Sequence, residues 1–155
     1  MKTAIALLSL IIGSVAYSQK QEFSDLWPNG KKRSEGVYVR GFEEGEWKFY
    51  HESGVIKEIS NYRRGKMDGR VRQYNFNGQL IAEGYFSAGL QDSSYNEYSE
   101  TGSLLVKGKY RKGEKIGEWL ALHANGDTAV VEFFSEGKRK LIFYSPKQGQ
   151  VTLRN

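Results

Sequence analysis

The sequence repeats itself every 24 residues, and this period constrains the fold more than any other feature. Glycine recurs at that spacing in two series: Gly30, Gly54, Gly78, Gly102, Gly126, and Gly41, Gly65, Gly89, Gly113, Gly137. An aromatic residue stands three positions before each glycine of the second series: Tyr38, Tyr62, Phe86, Tyr110 and Phe134. Periods of this length are typical of repeat proteins, whose units become stable by stacking on their neighbours. We therefore predict five units, at 21–44, 45–68, 69–92, 93–116 and 117–140, in a repeat region that spans 19–140.

Each unit has the pattern of a β-hairpin. The pairs Asn29-Gly30, Asn77-Gly78 and Asn125-Gly126 favour two-residue type I′ turns, in which both residues need positive φ. After the turn, alternate residues share one face of a strand, and the second glycine then turns the chain into the next hairpin. At two strands per hairpin, the sequence predicts an all-β fold, an elongated antiparallel meander of about ten short strands built from stacked 24-residue hairpins.

The strand that opens each hairpin carries a further aromatic position. Trp47 and Trp119 belong to this phase of the repeat and are counted with the glycines as repeat-defining residues. Trp47 and Tyr50 are three residues apart, so either a bulge corrects the parity or both faces of the sheet carry aromatic rings. Small residues in the partner strand leave room for a neighbouring ring to cover the backbone. These residues are Gly36, Ser60, Gly84 and Gly108.

The two ends of the chain differ from the repeats. Residues 1–18 have the pattern of an export signal: Lys2, a short apolar core from Ala4 to Val15, and small residues before a cleavage point at Gln19. We therefore expect a periplasmic, cell-envelope or secreted protein. It contains no cysteine, so disulfides cannot stabilise it. The repeat pattern is lost from Leu141, and residues 141–155 are predicted to form a tail or cap.

The repeat resembles that of the MORN-repeat proteins, specifically the bacterial MORN-repeat variant. The resemblance rests on "GEWKFYHESGVIKEISNYRRGKMDG" at 45–69 and "GEWLALHANGDTAVVEFFSEGK" at 117–138, and it covers residues 21–140. It implies a β-hairpin repeat fold and a binding role without catalysis. Many bacterial members are described as antitoxin-like, and MORN repeats elsewhere are proposed to bind proteins or phospholipid. For an exported chain, the antitoxin-like role implies a partner in the envelope.

The residues themselves point to no catalytic or cofactor site. His51 and His123 are 72 residues apart and occupy the same phase of the repeat, so an extended array would hold them apart as exposed polar residues. The carboxylates near the turns show no spacing that selects a pair for acid–base work. They include Glu44, Glu46, Glu52, Asp68, Asp92, Glu118 and Asp127. We expect no enzyme activity, no metal and no cofactor.

Two features could form a surface for partners. Aromatic residues make up 14% of the chain, many of them tyrosines suited to interfaces and to stacking on sugars. Basic residues cluster near turns, at Lys31-Lys32-Arg33, Arg63-Arg64 with Lys66, Arg111-Lys112 with Lys115, and Lys138-Arg139-Lys140. The leading hypothesis is an exported repeat protein that binds another protein; the alternative is a cell-wall or glycan-binding module. Membrane or wall contact and self-association stay open, whereas the mixed charges argue against nucleic acid.

Overall fold

The computed structural model describes residues 20–144 and 152–154 of the chain, and all of its regular elements are β-strands of one sheet. The strands follow each other in chain order across the sheet, and each pairs antiparallel with the next. They are β1 (Lys20–Leu26), β2 (Lys32–Val39), β3 (Phe42–Tyr50), β4 (Ile56–Arg63), β5 (Lys66–Tyr74), β6 (Leu80–Ser87), β7 (Leu90–Tyr98), β8 (Leu104–Arg111), β9 (Glu114–Leu122), β10 (Thr128–Ser135), β11 (Lys138–Tyr144) and β12 (Thr152–Arg154). The predicted antiparallel meander is confirmed.

Strands β1 to β10 form five hairpins, and β11 and β12 extend the sheet beyond them. The structure therefore has two more strands than the repeat pattern suggested. Strand β11 begins inside the predicted fifth unit and continues past it, because β10 offers an unpaired edge that the following segment can use. The predicted export signal lies outside the described residues, as does most of the predicted tail.

The loop inside each hairpin is longer than the sequence suggested. In the first loop Gly30 N donates to Trp27 O at 2.8 Å, and Trp27 N donates to Lys31 O at 2.8 Å. Gly30 has a φ of +82°, whereas Asn29 is not among the residues with positive φ. This geometry is a three-residue loop, a type I turn followed by a glycine in the left-handed region. The prediction of type I′ turns at the Asn-Gly pairs was therefore wrong.

The asparagine side chain explains why the loop takes this form. Asn29 Oδ1 accepts a hydrogen bond from Lys31 N at 3.0 Å, and Asn125 Oδ1 accepts one from Asp127 N at 3.1 Å. Asparagine bonds in this way to backbone two residues further on, which stabilises a turn without requiring its own φ to be positive. Only the glycine that follows must adopt the left-handed conformation.

The type I′ geometry occurs instead at the turns between hairpins. Both residues of each such turn have positive φ, as in Arg64 at 50° and Gly65 at 76°. Gly65 N also donates to Glu43 O in the preceding hairpin, at 3.0 Å, and Gly89 and Gly113 make the equivalent bond. These hydrogen bonds attach each turn to the hairpin before it, and glycines of the second series supply the donor N–H groups.

Replacing Ala88 with asparagine is expected to stabilise the chain. Ala88 holds a φ of 50° as the first residue of a between-hairpin turn, and a left-handed conformation costs an ordinary residue roughly 1–2 kcal/mol. Asparagine tolerates this region better, so we expect a gain of about 0.5–1 kcal/mol in the free energy of unfolding, measured by urea denaturation. The control is Ser87→Asn on the preceding strand residue. A loss of stability in the Ala88→Asn variant would contradict the turn assignment.

A third glycine position makes a bulge in the strand that opens each of the second to fifth hairpins. Gly45, Gly69, Ser93 and Gly117 all have positive φ, between 63° and 119°. The register with the preceding strand shifts by two residues beside each one; for example, Ser60 pairs with Val71 while Tyr62 pairs with Met67. Extra residues of this kind bend the strand and increase its twist. The bulges therefore repeat once per hairpin from the second hairpin to the fifth.

Both faces of the sheet carry aromatic rings. Trp47 pairs with Ser60, and Ser60 with Val71, so these residues share one face. The Tyr50 hydroxyl donates to Glu35, which pairs with Lys48 on the other face. Of the two alternatives, the second therefore holds. Within the described residues, the buried apolar side chains are Trp47, Ile59, Val71, Ala82 and Trp119.

Candidate binding surface

The face that carries Trp47 is here called the aromatic face, and its rings form two clusters. One cluster contains Phe23, Tyr38, Trp47, Phe49 and Tyr62. The other contains Tyr95, Tyr110, Trp119 and Phe134. In both clusters the ring centroids lie 5.0–6.3 Å apart, within the range for favourable aromatic pairs. The predicted repeat positions thus lie together on one surface.

Each tryptophan of the two clusters lies directly on a glycine of an adjacent strand. A Cβ atom added to Gly36 would be 2.2 Å from Trp47 Cδ2, and one added to Gly108 would be 2.2 Å from Trp119 Cδ2. Gly84 lies under Tyr95 with a looser spacing of 3.2 Å. The predicted covering of small residues by rings is confirmed at these three positions. Trp47 and Trp119 are each only 3% exposed as a result.

The stacking is interrupted in the middle of the sheet. Val71 takes the place of the aromatic residue, and the small residue before it is Ser60, which has the Cβ atom that the glycines lack. A hollow of about 130 Å³ lies between the two clusters, next to Val71. Val71, Ala82, Phe86 and Tyr95 are among the residues that line it. We call this hollow the central depression.

Two carboxylates on the aromatic face flank the central depression. Glu58, Gln73, Ala82 and Glu97 are successive register partners on β4 to β7, which places the carboxylates three strand spacings apart, about 14 Å. Glu58 accepts hydrogen bonds from the Ser60 hydroxyl and from Gln73 Nε2, and Glu97 accepts one from the Tyr95 hydroxyl at 2.7 Å. Within residues 20–144, neither forms a salt bridge with a lysine or arginine.

A second depression of about 250 Å³ adjoins the central one at Tyr95. Glu97, Lys115, Trp119 and Glu132 are among its lining residues. The Lys115 ammonium lies 4.0 Å from the Trp119 ring centroid and 5.2 Å from that of Phe134. A cation over an aromatic ring is attracted by its quadrupole. The chain thus places one of its own cations on an aromatic ring close to these carboxylates.

The opposite face, here called the charged face, satisfies its carboxylates internally. Glu83 accepts hydrogen bonds from Arg70, from the Tyr98 hydroxyl at 2.8 Å and from Asn96 at 3.3 Å, and the bond from Arg70 is the main reason why its pKa is lowered. Lys32 and Tyr50 likewise lower the pKa of Glu35. Two larger hollows on this face, of about 450 and 460 Å³, mix acidic and basic side chains. It therefore offers less unbalanced charge than the aromatic face.

Alkaline pH is expected to unfold the chain through its part-buried tyrosines. Burial, reinforced by Glu35, raises the pKa of Tyr50 to about 12, and burial also raises the pKa of Tyr62, Tyr95, Tyr98 and Tyr110. Because the folded-state pKa values are raised, their contribution to stability is full below pH 10 and is lost as the pH rises through the folded values.

Absorbance titration of the tyrosinates, combined with thermal unfolding at each pH, measures this effect. We expect several tyrosines to ionise well above pH 10 in the folded chain, and the melting temperature to fall over that range. Tyr50→Phe should remove one of the late-ionising groups. Ionisation of every tyrosine near pH 10 without unfolding would contradict the prediction.

The two histidines differ in exposure, contrary to expectation. His51 is only 9% exposed, bonds through Nε2 to Tyr74 O at 3.0 Å, and stacks on Phe76 with 4.2 Å between ring centroids. His123 is exposed, as predicted. The exposure prediction was wrong for His51, because the adjacent hairpin loop supplies both a carbonyl acceptor and a phenylalanine ring. Nothing brings the two histidines together.

Several of the predicted basic clusters are partly neutralised by neighbouring carboxylates. Arg33 pairs with Asp25, Arg63 with Asp68 at 3.3 Å, and Arg139 with Glu132 at 3.0 Å. The Lys31 ammonium donates instead to Ser53 O at 2.7 Å in the next loop. These contacts favour solvated turn residues over a continuous basic stripe.

The described part of the chain contains no cluster of three or more potential metal ligands. Across the same residues, no helix has the length and apolarity needed to cross a membrane. Some of the carboxylates near turns contact the backbone of the turns. Glu44 and Asp92, for example, accept hydrogen bonds from Arg64 N and Lys112 N at the between-hairpin turns.

Sequence reasoning missed the features that distinguish the middle of the aromatic face. The repeat puts Val71 in the aromatic phase and Ser60 among the small residues, and both depart from the pattern on the paired strands β4 and β5. That joint departure was the available signal for the central depression. No sequence pattern distinguishes Glu58 and Glu97 from the other carboxylates. Whether a lysine or arginine reaches each of them depends on the folded structure.

Comparison with known families gives one match. The family described as MORN repeat variant matches residues 43–64 and 67–88. Each match contains one described hairpin, β3–β4 or β5–β6. The predicted resemblance is therefore confirmed at the level of the repeat.

Comparison with individual proteins adds little. None of the curated proteins matches the sequence. Among solved structures, the crystal structure of the GtfA/B complex bound to UDP and GlcNAc is similar over 72% of this chain and 22% of that one, at 12% identity and a TM-score of 0.32. This chain thus spans about a fifth of the length of that chain. A score this low does not establish a shared fold.

Proposed function

We propose that this chain, which belongs to the MORN-repeat family, is a non-catalytic protein that binds another protein on its sheet surface. The observation that carries this proposal is the aromatic face, where two ring clusters flank an open depression bordered by carboxylates without ion-pair partners. The centres of protein interfaces are enriched in aromatic side chains that fill pockets of the partner. A sheet with no described layer over this face leaves such a surface accessible.

The placement of titratable groups supports a non-catalytic role. His51 and His123 lie in hairpins three repeats apart. Glu58 and Glu97, the two carboxylates that flank the central depression, are about 14 Å apart, beyond the roughly 5–9.5 Å that glycosidases use. Acid–base catalysis requires convergence on one reacting group. The aromatic face has binding features instead.

We also propose that the protein acts after export, in the periplasm, in the cell envelope or outside the cell. Support comes from the signal-like pattern of residues 1–18. An antitoxin-like role would be a particular case, in which the partner is a toxin that reaches the envelope and is covered by this sheet. The identity of the captured partner decides between that role and a general adaptor.

A protein partner is favoured over a glycan. Stacking on sugars requires exposed aromatic faces, yet Trp47 and Trp119 are 3% exposed. Among the described tyrosines and tryptophans, Tyr85 is the exposed one, at 42%, and it lies on the charged face, opposite Arg70. The row of exposed rings that a wall-binding module would need is therefore missing from the described surface.

Affinity capture tests the proposal. The full chain is expressed in the source cell with a C-terminal tag, so that the cell carries out any processing. The purified protein is incubated with envelope extract, and bound proteins are identified by mass spectrometry. We expect one protein in near-stoichiometric amount. Gln73→Arg, which puts a bulky cation on the aromatic face, should reduce its capture, whereas Ser94→Arg on the charged face should not.

Two outcomes contradict the proposal. Recovery of insoluble wall material without any protein would support the glycan-binding alternative. Capture that falls equally in both arginine variants would mean that the aromatic face is not the binding surface. Both positions are exposed strand residues, so the two variants introduce the same side chain at comparable places, and Gln73→Arg additionally loses the hydrogen bond to Glu58.

A further inference from the structure

Strands β4 and β5, in the middle of the sheet, depart from the repeat at Ser60 and Val71. In the hairpins on either side, a ring lies on a glycine of an adjacent strand, as Trp47 lies on Gly36 and Trp119 on Gly108. Ser60 has a Cβ atom where those glycines have none, so a ring attached at position 71 could not take the same place. Val71 occupies that position, and its side chain, which is smaller than an indole, forms part of the wall of the central depression.

We infer that the central depression receives an aromatic side chain of the partner protein, with a lysine or arginine beside it in the partner's sequence. This inference rests on the proposed function, since it specifies the chemistry of the partner. The incoming ring would lie between the cluster that ends at Tyr62 and the one that begins at Tyr95.

The size of the depression suits a single ring. Its volume is about 130 Å³, and an engineered cavity of about 150 Å³ binds benzene. Val71, Ala82 and Phe86 give it apolar walls, and Val71 and Ala82 are already buried at 6% and 8% exposure. A ring placed there would have Tyr95 as a neighbour, in the kind of aromatic pair that the clusters use.

The carboxylates around the depression favour a lysine or arginine next to that ring in the partner's sequence. Glu58 lies in the lining of the depression, and Glu97 lies on the far side, on the same strand as Tyr95 and opposite Ala82. The Ser60 hydroxyl and Gln73 hold the Glu58 carboxylate by hydrogen bonds, which fixes its position without neutralising its charge. A cation next to the partner's ring would find an unpaired carboxylate on either side, whereas an acidic neighbour would be repelled.

The chain shows the same combination within itself. In the adjoining depression, Lys115 lies over the Trp119 ring, and Glu97 and Glu132 are in the same lining. The positions that correspond to Lys115 in the two preceding repeats are Gln91 and Met67, which both line the central depression and have no charge. A cation supplied by the partner would thus lie beside an aromatic ring and carboxylates in the central depression, as Lys115 does in the adjoining depression.

A peptide titration tests the inference independently of the natural partner. The full chain, labelled with ¹⁵N, is titrated with acetyl-Gly-Trp-Lys-Gly-amide and, as matched probe, acetyl-Gly-Trp-Glu-Gly-amide. We expect amide shifts confined to the residues around Val71, Ala82 and Tyr95. The lysine peptide should bind roughly 5-fold more tightly than the glutamate peptide, as for an exposed charge pair. Glu58→Gln together with Glu97→Gln should remove most of that preference.

A filling variant supplies the second arm of the test. Ala82→Leu enlarges a side chain in the lining of the depression, so it should fill part of the space and weaken peptide binding about tenfold or more. Ala129→Leu, the same change outside the linings of both depressions, is the matched control and should still bind. If Ala82→Leu does not fold, Ala82→Val makes a smaller change at the same place.

The outcomes separate this inference from the proposed function. Shifts spread over both faces, equal affinity for the two peptides, or binding that survives filling would each overturn the inference. If the natural partner is captured but the filled chain retains it, the proposed function stands and the inference fails. If peptides bind at Val71 but no protein is captured, the depression has the inferred chemistry and the proposed function fails.

Discussion

Replacing Trp119 with alanine is expected to lower the free energy of unfolding by about 3–5 kcal/mol. The side chain is 3% exposed, and its ring packs against Tyr95, Tyr110 and Phe134 at centroid distances of 5.8, 5.0 and 6.3 Å. Its indole N–H also donates to Lys109 O at 3.2 Å. In a sheet with no described second layer, removal of the indole exposes the Gly108 backbone that it covers.

Urea denaturation followed by far-ultraviolet circular dichroism measures this loss without relying on tryptophan fluorescence. The control is Phe76→Ala, because Phe76 is 73% exposed and its removal should cost less than about 1 kcal/mol. Trp47→Ala should resemble Trp119→Ala, since Trp47 is equally buried in the other cluster. A cost below about 1 kcal/mol for both tryptophans would show that the rings are not what stabilises the hairpins.

Replacing Gly108 with alanine is expected to destabilise the chain by about 1–3 kcal/mol, although the change adds only one methyl group. Its Cβ would lie 2.2 Å from Trp119 Cδ2, a separation that real contacts do not allow, so the indole would have to leave its place. Gly84→Ala is the graded control. There the nearest ring atom is 3.2 Å away, so a small shift of Tyr95 suffices and the cost should be smaller.

A double-mutant cycle shows whether the ring is the cause. In a Trp119→Val background the clash is absent, and Gly108→Ala should then be nearly neutral. The double variant gives β8 a small residue and β9 a branched one, as β4 and β5 already have at Ser60 and Val71. An unchanged cost of Gly108→Ala in that background would mean that backbone strain, and not the indole, is responsible.

The repeat made the order of strands predictable from sequence. Glycines at a constant spacing mark reversals of direction, and an antiparallel meander is the simplest path that joins hairpins in chain order. The covering of Gly36 and Gly108 by tryptophan could also be predicted, because a glycine within a strand weakens the sheet unless a neighbouring ring covers its backbone.

The turn types could not be predicted, because the same dipeptide serves two geometries. Asn29-Gly30 fits a two-residue turn, yet the structure adds one residue and satisfies the asparagine side chain through Lys31 N. Conversely, the true type I′ turns have arginine, alanine, lysine or glutamate in their first position, none of which favours positive φ. Hydrogen bonds to the preceding hairpin, such as Gly65 N to Glu43 O, accompany that geometry.

The candidate site depended on relations between strands that a single sequence does not display. Val71 is an unremarkable strand residue by itself, and Glu58 resembles the many other carboxylates of the chain. Their significance follows from the register, which puts Val71 beside Ser60 and aligns Glu58 with Gln73 and Ala82. For the same reason, the sequence alone does not show whether Trp47 and Tyr50 lie on the same face of the sheet. That depends on how β3 pairs with the strands beside it.

The strictly sequential order of the strands also bears on how quickly the chain folds. Sheets that join distant segments fold slowly, in milliseconds to seconds, because long loops must close before any contact forms. Here each strand pairs only with the strand before and after it in the chain, so every pairing closes a short loop. We therefore expect folding to begin at any pair of adjacent hairpins and to spread outward in both directions, faster than in β-sandwiches of similar length.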